Sequence, residues 1–264
     1  MPSDEAGLAF CVSGSGPTVV LLHGFTQTKE SWERVASRLR RRRRVVAVDA
    51  PGHGASGHAD ADLAEAARLL VEAGGPGAYV GYSMGGRICL QAALDFPEAV
   101  RGLVLIGASP GIADESERAE RRRVDLERAA DLRRRGLPAF LDDWLAQPLF
   151  ATLPEQEAGR AERLARNDAE GLARSLERCG TGAMVPLWDR LAELACPTLA
   201  LAGSLDERYA ALARRLQAAA PPGLVEVRLV DGAGHAAHLE APEVVGTLLE
   251  AFLDRSSAEH ASPA

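Results

Sequence analysis

The sequence is almost without lysine. Of its 30 basic residues, Lys29 is the single lysine and the rest are arginine. Arginine is the background cation here, so an isolated arginine is weak evidence for a site. Positive charge is also in deficit, since 37 acidic residues leave a formal net charge of −7. That balance argues against general nucleic-acid binding, which needs a basic face. Cysteine is scarce as well. Cys11, Cys89, Cys179 and Cys196 include no pair at C-x-x-C spacing, which argues against a zinc site or a thiol redox motif. Buried free thiols in a reducing cytoplasm are the expectation. No apolar run approaches the roughly 18 residues that span a bilayer. Met1–Glu5 lacks the basic-then-apolar signal pattern. A cytoplasmic chain with no membrane insertion is expected.

What is present is ordinary for a globular protein: 47% hydrophobic and 25% charged residues over 264 positions. A chain of this size buries about 70% of its extended surface on folding, enough for a core without staples. Short apolar runs read as strands: 18–22 (TVVLL), 45–49 (VVAVD), 78–82 (AYVGY), 103–106 (LVLI), 197–202 (PTLALA) and 224–230 (LVEVRLV). Continuous rather than alternating apolar residues suggest strands covered on both faces. Amphipathic stretches at 30–40, 61–73 and 83–94 fall between them. That order predicts an α/β fold with a mostly parallel central sheet flanked by helices. Between 112 and 194 the alternation stops. The segment is charged, strand-poor and punctuated by Pro138, Pro148, Pro154 and Pro186, which predicts a helical lid inserted into one domain spanning 1–264. Residues 256–264 are small and polar, and a disordered tail is expected. The Arg40–Arg44 run reads as a solvated loop.

Gly81-Tyr82-Ser83-Met84-Gly85 is a G-x-S-x-G motif between a strand and a helix, the setting a nucleophile elbow requires. Asp206 follows the strand 197–202, and His235 follows the last strand in Gly232-Ala233-Gly234-His235. The ends of parallel strands gather on one sheet edge, so these distant residues can meet. The order Ser, Asp, His is that of α/β-hydrolases. His235 is then the base toward Ser83, and Asp206 orients the imidazole. Glu207 is the weaker alternative acid, and His238 reads as a helix residue packing nearby. The loop after 18–22 carries His23-Gly24-Phe25. Backbone N–H groups of Phe25 and Met84 form the expected oxyanion pair, with His23 a loop-holding residue. Asp49-Ala50-Pro51-Gly52-His53-Gly54 reads as a turn near the pocket with no chemistry assigned. Arg87 lies one helical turn after Ser83 on the same face and leans back toward it, which suits carboxylate binding.

The motifs HGF, D-x-PGHG-x-S, GYSMGGR, GASPG and GAGH resemble the catalytic half of an α/β-hydrolase. More narrowly, HGFTQTKESW (23–32), IGASPGI (106–112), ERAERRRVD (117–125), DDWLAQPLFATLP (142–154) and GAGHAAHLE (232–240) are similar to the 2-succinyl-6-hydroxy-2,4-cyclohexadiene-1-carboxylate synthases of menaquinone biosynthesis. The likeness spans nearly the whole chain, lid included. It implies a lyase that eliminates pyruvate from 2-succinyl-5-enolpyruvyl-6-hydroxy-3-cyclohexene-1-carboxylate, with Ser83 acting as a base, no acyl-enzyme, and neither metal nor organic cofactor. The expected partner is a small tricarboxylate. The resemblance adds Arg121 and an arginine of the RLARN segment to the carboxylate-binding set. The spacing there is one residue longer than the family's, so Arg163 and Arg166 compete and Arg163 is preferred. Tyr82, Trp144 and Phe150 would line the pocket. A serine esterase or carbon–carbon bond hydrolase is the alternative, because the same triad serves it.

Overall fold

The computed structural model describes residues 7–261. In chain order the elements are β1 Phe10–Ser13, β2 Thr18–Leu22, α1 Glu33–Leu39, β3 Arg44–Val48, α2 Leu63–Gly74, β4 Gly77–Tyr82, α3 Met84–Asp95 and β5 Val100–Ile106. Four helices follow: α4 Glu115–Arg135, α5 Leu137–Leu145, α6 Arg160–Arg166 and α7 Ala169–Cys179. The chain ends with β6 Thr198–Gly203, α8 Glu207–Ala219, β7 Val225–Val230, α9 Ala237–Glu240 and α10 Pro242–Ala261.

The seven strands form one sheet in the order β1-β3-β2-β4-β5-β6-β7. Strands β2 to β7 pair in parallel, and β1 runs antiparallel to β3. Side chains alternate across a strand, so each apolar run supplies two cores at once. Val20, Leu22, Val46, Val48, Leu103 and Leu105 pack on one face with α2 and α3. Val19, Leu21, Val45, Ala47, Val104 and Ile106 pack on the other with α1 and α10. Each fully buried valine, leucine or isoleucine among them contributes roughly 1.5–3 kcal/mol. This is why the runs are continuous rather than alternating.

Strand β1 was not expected. It is a four-residue edge strand with Phe10 and Val12 near half exposed, so it carries no buried apolar signature. The C-terminal segment also departs from expectation. Instead of a disordered tail from 256, α10 continues to Ala261. Val245, Leu249, Phe252 and Leu253 anchor it to the sheet, and no breaker intervenes before Pro263. Residues 262–264 lie outside the described residues. The arginine run is only partly a solvated loop: Arg43 is buried against Asp254 and Arg44 opens β3.

The segment 112–194, expected as a lid, divides between two cores. Helices α4, α5 and α7 share a small core of their own around Leu132, Leu141 and Leu172. Met184, Leu187, Leu191 and Leu194 instead join the main core beneath the sheet. Among the described residues no helix is long and apolar enough to cross a membrane.

Candidate active site

Strand β4 delivers Ser83 onto the sheet edge through a strained turn. Ser83 has φ 51° and ψ −108°, a region that L-residues avoid at a cost of about 1–3 kcal/mol. The turn closes because its flanking residues lack side chains. A Cβ on Gly81 would stand 2.4 Å from the Gly85 carbonyl, and one on Gly85 2.3 Å from that of Leu22. Helix α3 starts immediately after Ser83, so its unpaired N–H groups face the serine.

Ser83 Oγ lies 3.2 Å from His235 Nε2, and His235 Nδ1 lies 2.8 Å from Asp206 Oδ2. The carboxylate beside Nδ1 requires Nδ1–H to donate, which leaves Nε2 as acceptor toward the serine. Asp206 is held in turn by the Tyr209 N–H, as the cap of α8. Glu207 sits exposed on the first turn of α8 and does not reach His235. Glu240 braces the histidine loop: one oxygen accepts from the Gly234 N–H at 2.7 Å, the other from the Ala236 N–H at 3.0 Å. Glu240 is the terminal glutamate of GAGHAAHLE, five residues after His235, and that spacing is the sequence signal for its role.

The Gly24–Phe25 peptide is oriented by its own carbonyl. Gly24 O accepts from the Gln27 N–H at 3.1 Å and from His23 Nδ1 at 2.8 Å. In a trans peptide the N–H opposes the carbonyl, so Phe25 N–H is directed away from that turn. Neither Phe25 N–H nor Met84 N–H is consumed by a turn, loop or cap hydrogen bond among the described residues. His23 Nε2 accepts from the Ala50 N–H at 3.0 Å and His53 Nε2 from the Thr26 N–H at 3.1 Å. Both rings are fully buried. Burial lowers the pKa of each, that of His53 to about 3 with repulsion from His23 adding to it, so both serve as neutral braces. His238 packs at 4.2 Å from Tyr82 and 4.7 Å from Trp32, and burial again drives its pKa down. Asp49, at the start of the turn sequence, accepts from Lys29 Nζ at 2.6 Å and Lys29 N at 2.8 Å. The turn thereby ties two loops together.

The serine and histidine face a cavity of about 300 Å³ under the lid. Among the described residues five arginines line it, Arg87, Arg121, Arg128, Arg163 and Arg208, and no aspartate or glutamate does. Arg87 is buried, and its Nη1 donates to the Cys179 carbonyl at 2.8 Å. Burial lowers its pKa. Arg163, from α6, is also buried and donates to the carbonyl of Ala158 and the hydroxyl of Thr26. Its pKa is brought down to about 10 by burial. Arg121 reaches the cavity but is partly engaged by Asp125 at 2.8 Å. Arg166 points outward, 45% exposed, and pairs with Glu30 and Glu162. Tyr82, Trp144 and Phe150 all line the cavity, with Phe25 edge-on to Trp144 at 5.0 Å.

Arg128, Arg208 and Tyr209 were not anticipated. Arg128 stands two helical turns after Arg121 on α4, a same-face spacing that could have marked it. It lies 5.5 Å from the Trp144 ring centre and donates to Gln147 at 3.0 Å. Tyr209 packs at 4.5 Å from the His235 ring. Among the described residues no cluster of three or more His, Cys, Asp or Glu side chains is placed to hold a metal ion.

The sequence profile of the alpha/beta hydrolase family matches residues 19–247. The chain belongs to the alpha/beta hydrolase family. Within that family, it is 35% identical over 233 residues to the 2-succinyl-6-hydroxy-2,4-cyclohexadiene-1-carboxylate synthase of Salmonella agona, covering 86% of this chain and 89% of that one. A Bacillus subtilis protein provisionally given the same name is 34% identical, covering 94% and 95%. Among solved structures, MenH from S. aureus superposes with a TM-score of 0.86 at 29% identity, covering 94% of this chain and 98% of that one. A thermophilic esterase from Thermogutta terrifontis superposes with a TM-score of 0.78 at 26% identity, covering 94% and 93%. Both solved structures cover 94% of this chain, and MenH superposes with the higher TM-score.

Proposed function

We propose that Ser83, His235 and Asp206 carry out a proton abstraction that eliminates pyruvate from 2-succinyl-5-enolpyruvyl-6-hydroxy-3-cyclohexene-1-carboxylate. The chain is a lyase of menaquinone synthesis, as its synthase relatives are. The observation that carries this reading is the triad set against an arginine-lined cavity. A hydrogen-bonded Ser–His–Asp chain faces five arginines, of which Arg121 alone is paired with a carboxylate, that of Asp125, among the contacts described. Such a site suits a polyanion, and the substrate has three carboxylates.

The chemistry follows from the substrate. The hydrogen at ring carbon 2 is acidified by the neighbouring succinyl ketone. Ser83 Oγ, relieved of its proton by His235 Nε2, removes it. The electron pair forms the 2,3 double bond, the 3,4 double bond shifts to 4,5, and the carbon–oxygen bond at carbon 5 breaks. Enolpyruvate leaves as its enolate and ketonises to pyruvate by taking up the proton that His235 accepted, which restores the triad. Phe25 and Met84 N–H groups stabilise the charge on the ketone oxygen. Arg87 and Arg163, held rigidly by protein carbonyls and hydroxyl, receive carboxylates.

The esterase reading draws on the same triad and the same unspent N–H pair, which are what acyl transfer needs. One assay separates the two. Acceleration of pyruvate release above the spontaneous rate, without a burst on p-nitrophenyl acetate, supports the lyase. Ester turnover with no acceleration of pyruvate release overturns it.

A further inference from the structure

Next to the oxyanion loop is an arrangement that neither the triad nor the arginines explain. Thr26 has φ 67°, a left-handed conformation uncommon for threonine. Three groups hold it there. Its N–H donates to His53 Nε2 at 3.1 Å, its carbonyl accepts from Asn167 Nδ2 at 3.0 Å, and its hydroxyl accepts from Arg163. Two of the three come from the lid.

Asn167 caps the end of α6, and its amide is used on both sides. Oδ1 accepts from the Gly54 N–H at 3.0 Å, and Nδ2 also donates to the Arg163 carbonyl at 3.0 Å. One side chain thus joins the loop after β2, the loop after β3 and the lid helix that carries Arg163. The docking surface beside it is flush. Gly171 of α7 meets Gly52 so closely that a Cβ on either would stand 2.7 Å or less from the other's backbone oxygen.

We propose that Asn167 is a positioning residue that makes the oxyanion donor dependent on lid docking. The Gly24 carbonyl is fixed on one side of Phe25, and Thr26 is fixed on the other. Asn167 supplies the second anchor from the lid. With the lid seated, Phe25 N–H is aimed into the cavity. With the Asn167 amide gone, Thr26 relaxes from its left-handed conformation and the donor turns away. The inference rests on the reading of Phe25 and Met84 as the oxyanion pair.

The test compares wild type with Asn167→Ala and the near-isosteric Asn167→Asp, which keeps the acceptor for Gly54 but loses both donations. Removing an oxyanion donor outright costs about 10²–10³ in kcat. Misaiming one is expected to lower kcat about tenfold or more, with KM within about twofold. A fluorophosphonate that labels Ser83 uses the same donors and needs no lyase turnover, so its labelling rate falls in parallel. A folded Asn167→Asp with wild-type kcat and labelling rate overturns the proposal. So does a rise in KM with kcat unchanged, which would place Asn167 in substrate binding. If wild type itself fails to accelerate pyruvate release, the lyase reading falls, and the labelling rates still decide the role of Asn167.

Discussion

Arg87 donates to the carbonyl of Cys179 at 2.8 Å, and no carboxylate pairs with it among the described residues. A buried guanidinium bound only to neutral acceptors is destabilising in the empty protein, because its desolvation is only partly compensated. The site accepts that cost when a substrate carboxylate supplies the missing charge. Replacing Arg87 with methionine should therefore raise thermal stability by about 1 kcal/mol while lowering kcat/KM by about tenfold or more. Thermal unfolding and steady-state kinetics on one preparation check both signs. Loss of stability together with unchanged kcat/KM would remove Arg87 from the site.

Asp206 touches His235 and Glu207 does not. Asp206→Asn is expected to present the wrong tautomer to Ser83 and lower kcat by on the order of 10⁴. Glu207→Gln should leave kcat within about twofold, as a surface change does. Equal losses in the two variants would mean that the acid of the triad has been misplaced.

Acid should unfold the protein by way of its buried histidines. His23, His53 and His238 all have pKa values lowered by burial, His53 from 6.5 to about 3. Above pH 6.5 these groups are neutral in both states and add no pH dependence. As pH falls below 6.5 the unfolded chain takes up protons that the folded chain refuses, and stability drops. Each histidine contributes up to about 1.4 kcal/mol per pH unit across that window. Urea unfolding at pH 7.5, 6 and 5 checks this. A midpoint that stays constant from pH 7.5 to 5 contradicts the buried-neutral assignment.

Much of this molecule was legible in its residues, for reasons visible in particular elements. Strands β2 to β6 are buried along most of their length and are written largely as apolar runs, whereas β7, at the sheet edge, is interrupted by Glu226 and Arg228. Ser83, Asp206 and His235 follow the C-terminal ends of β4, β6 and β7, and those ends share one edge of the sheet. Strand β1 escaped because Phe10 and Val12 remain near half exposed. The lid arginines were harder to sort. With arginine as the common cation, composition could not separate Arg163, turned into the cavity, from Arg166, turned out to Glu30 and Glu162. Arg208 gave no local signal, since tertiary packing alone brings it to the cavity. Thr26 and Asn167 look like ordinary loop polar residues until the lid is folded down on the loop, 141 positions away in sequence.

The most direct test of the central claim is pyruvate release from the enolpyruvyl substrate, made in place by the upstream enzyme, with wild type and Ser83→Ala at equal concentration. The account predicts acceleration by wild type and only the spontaneous rate with Ser83→Ala, the fold being intact by circular dichroism. Equal acceleration by both proteins would contradict Ser83 as the base.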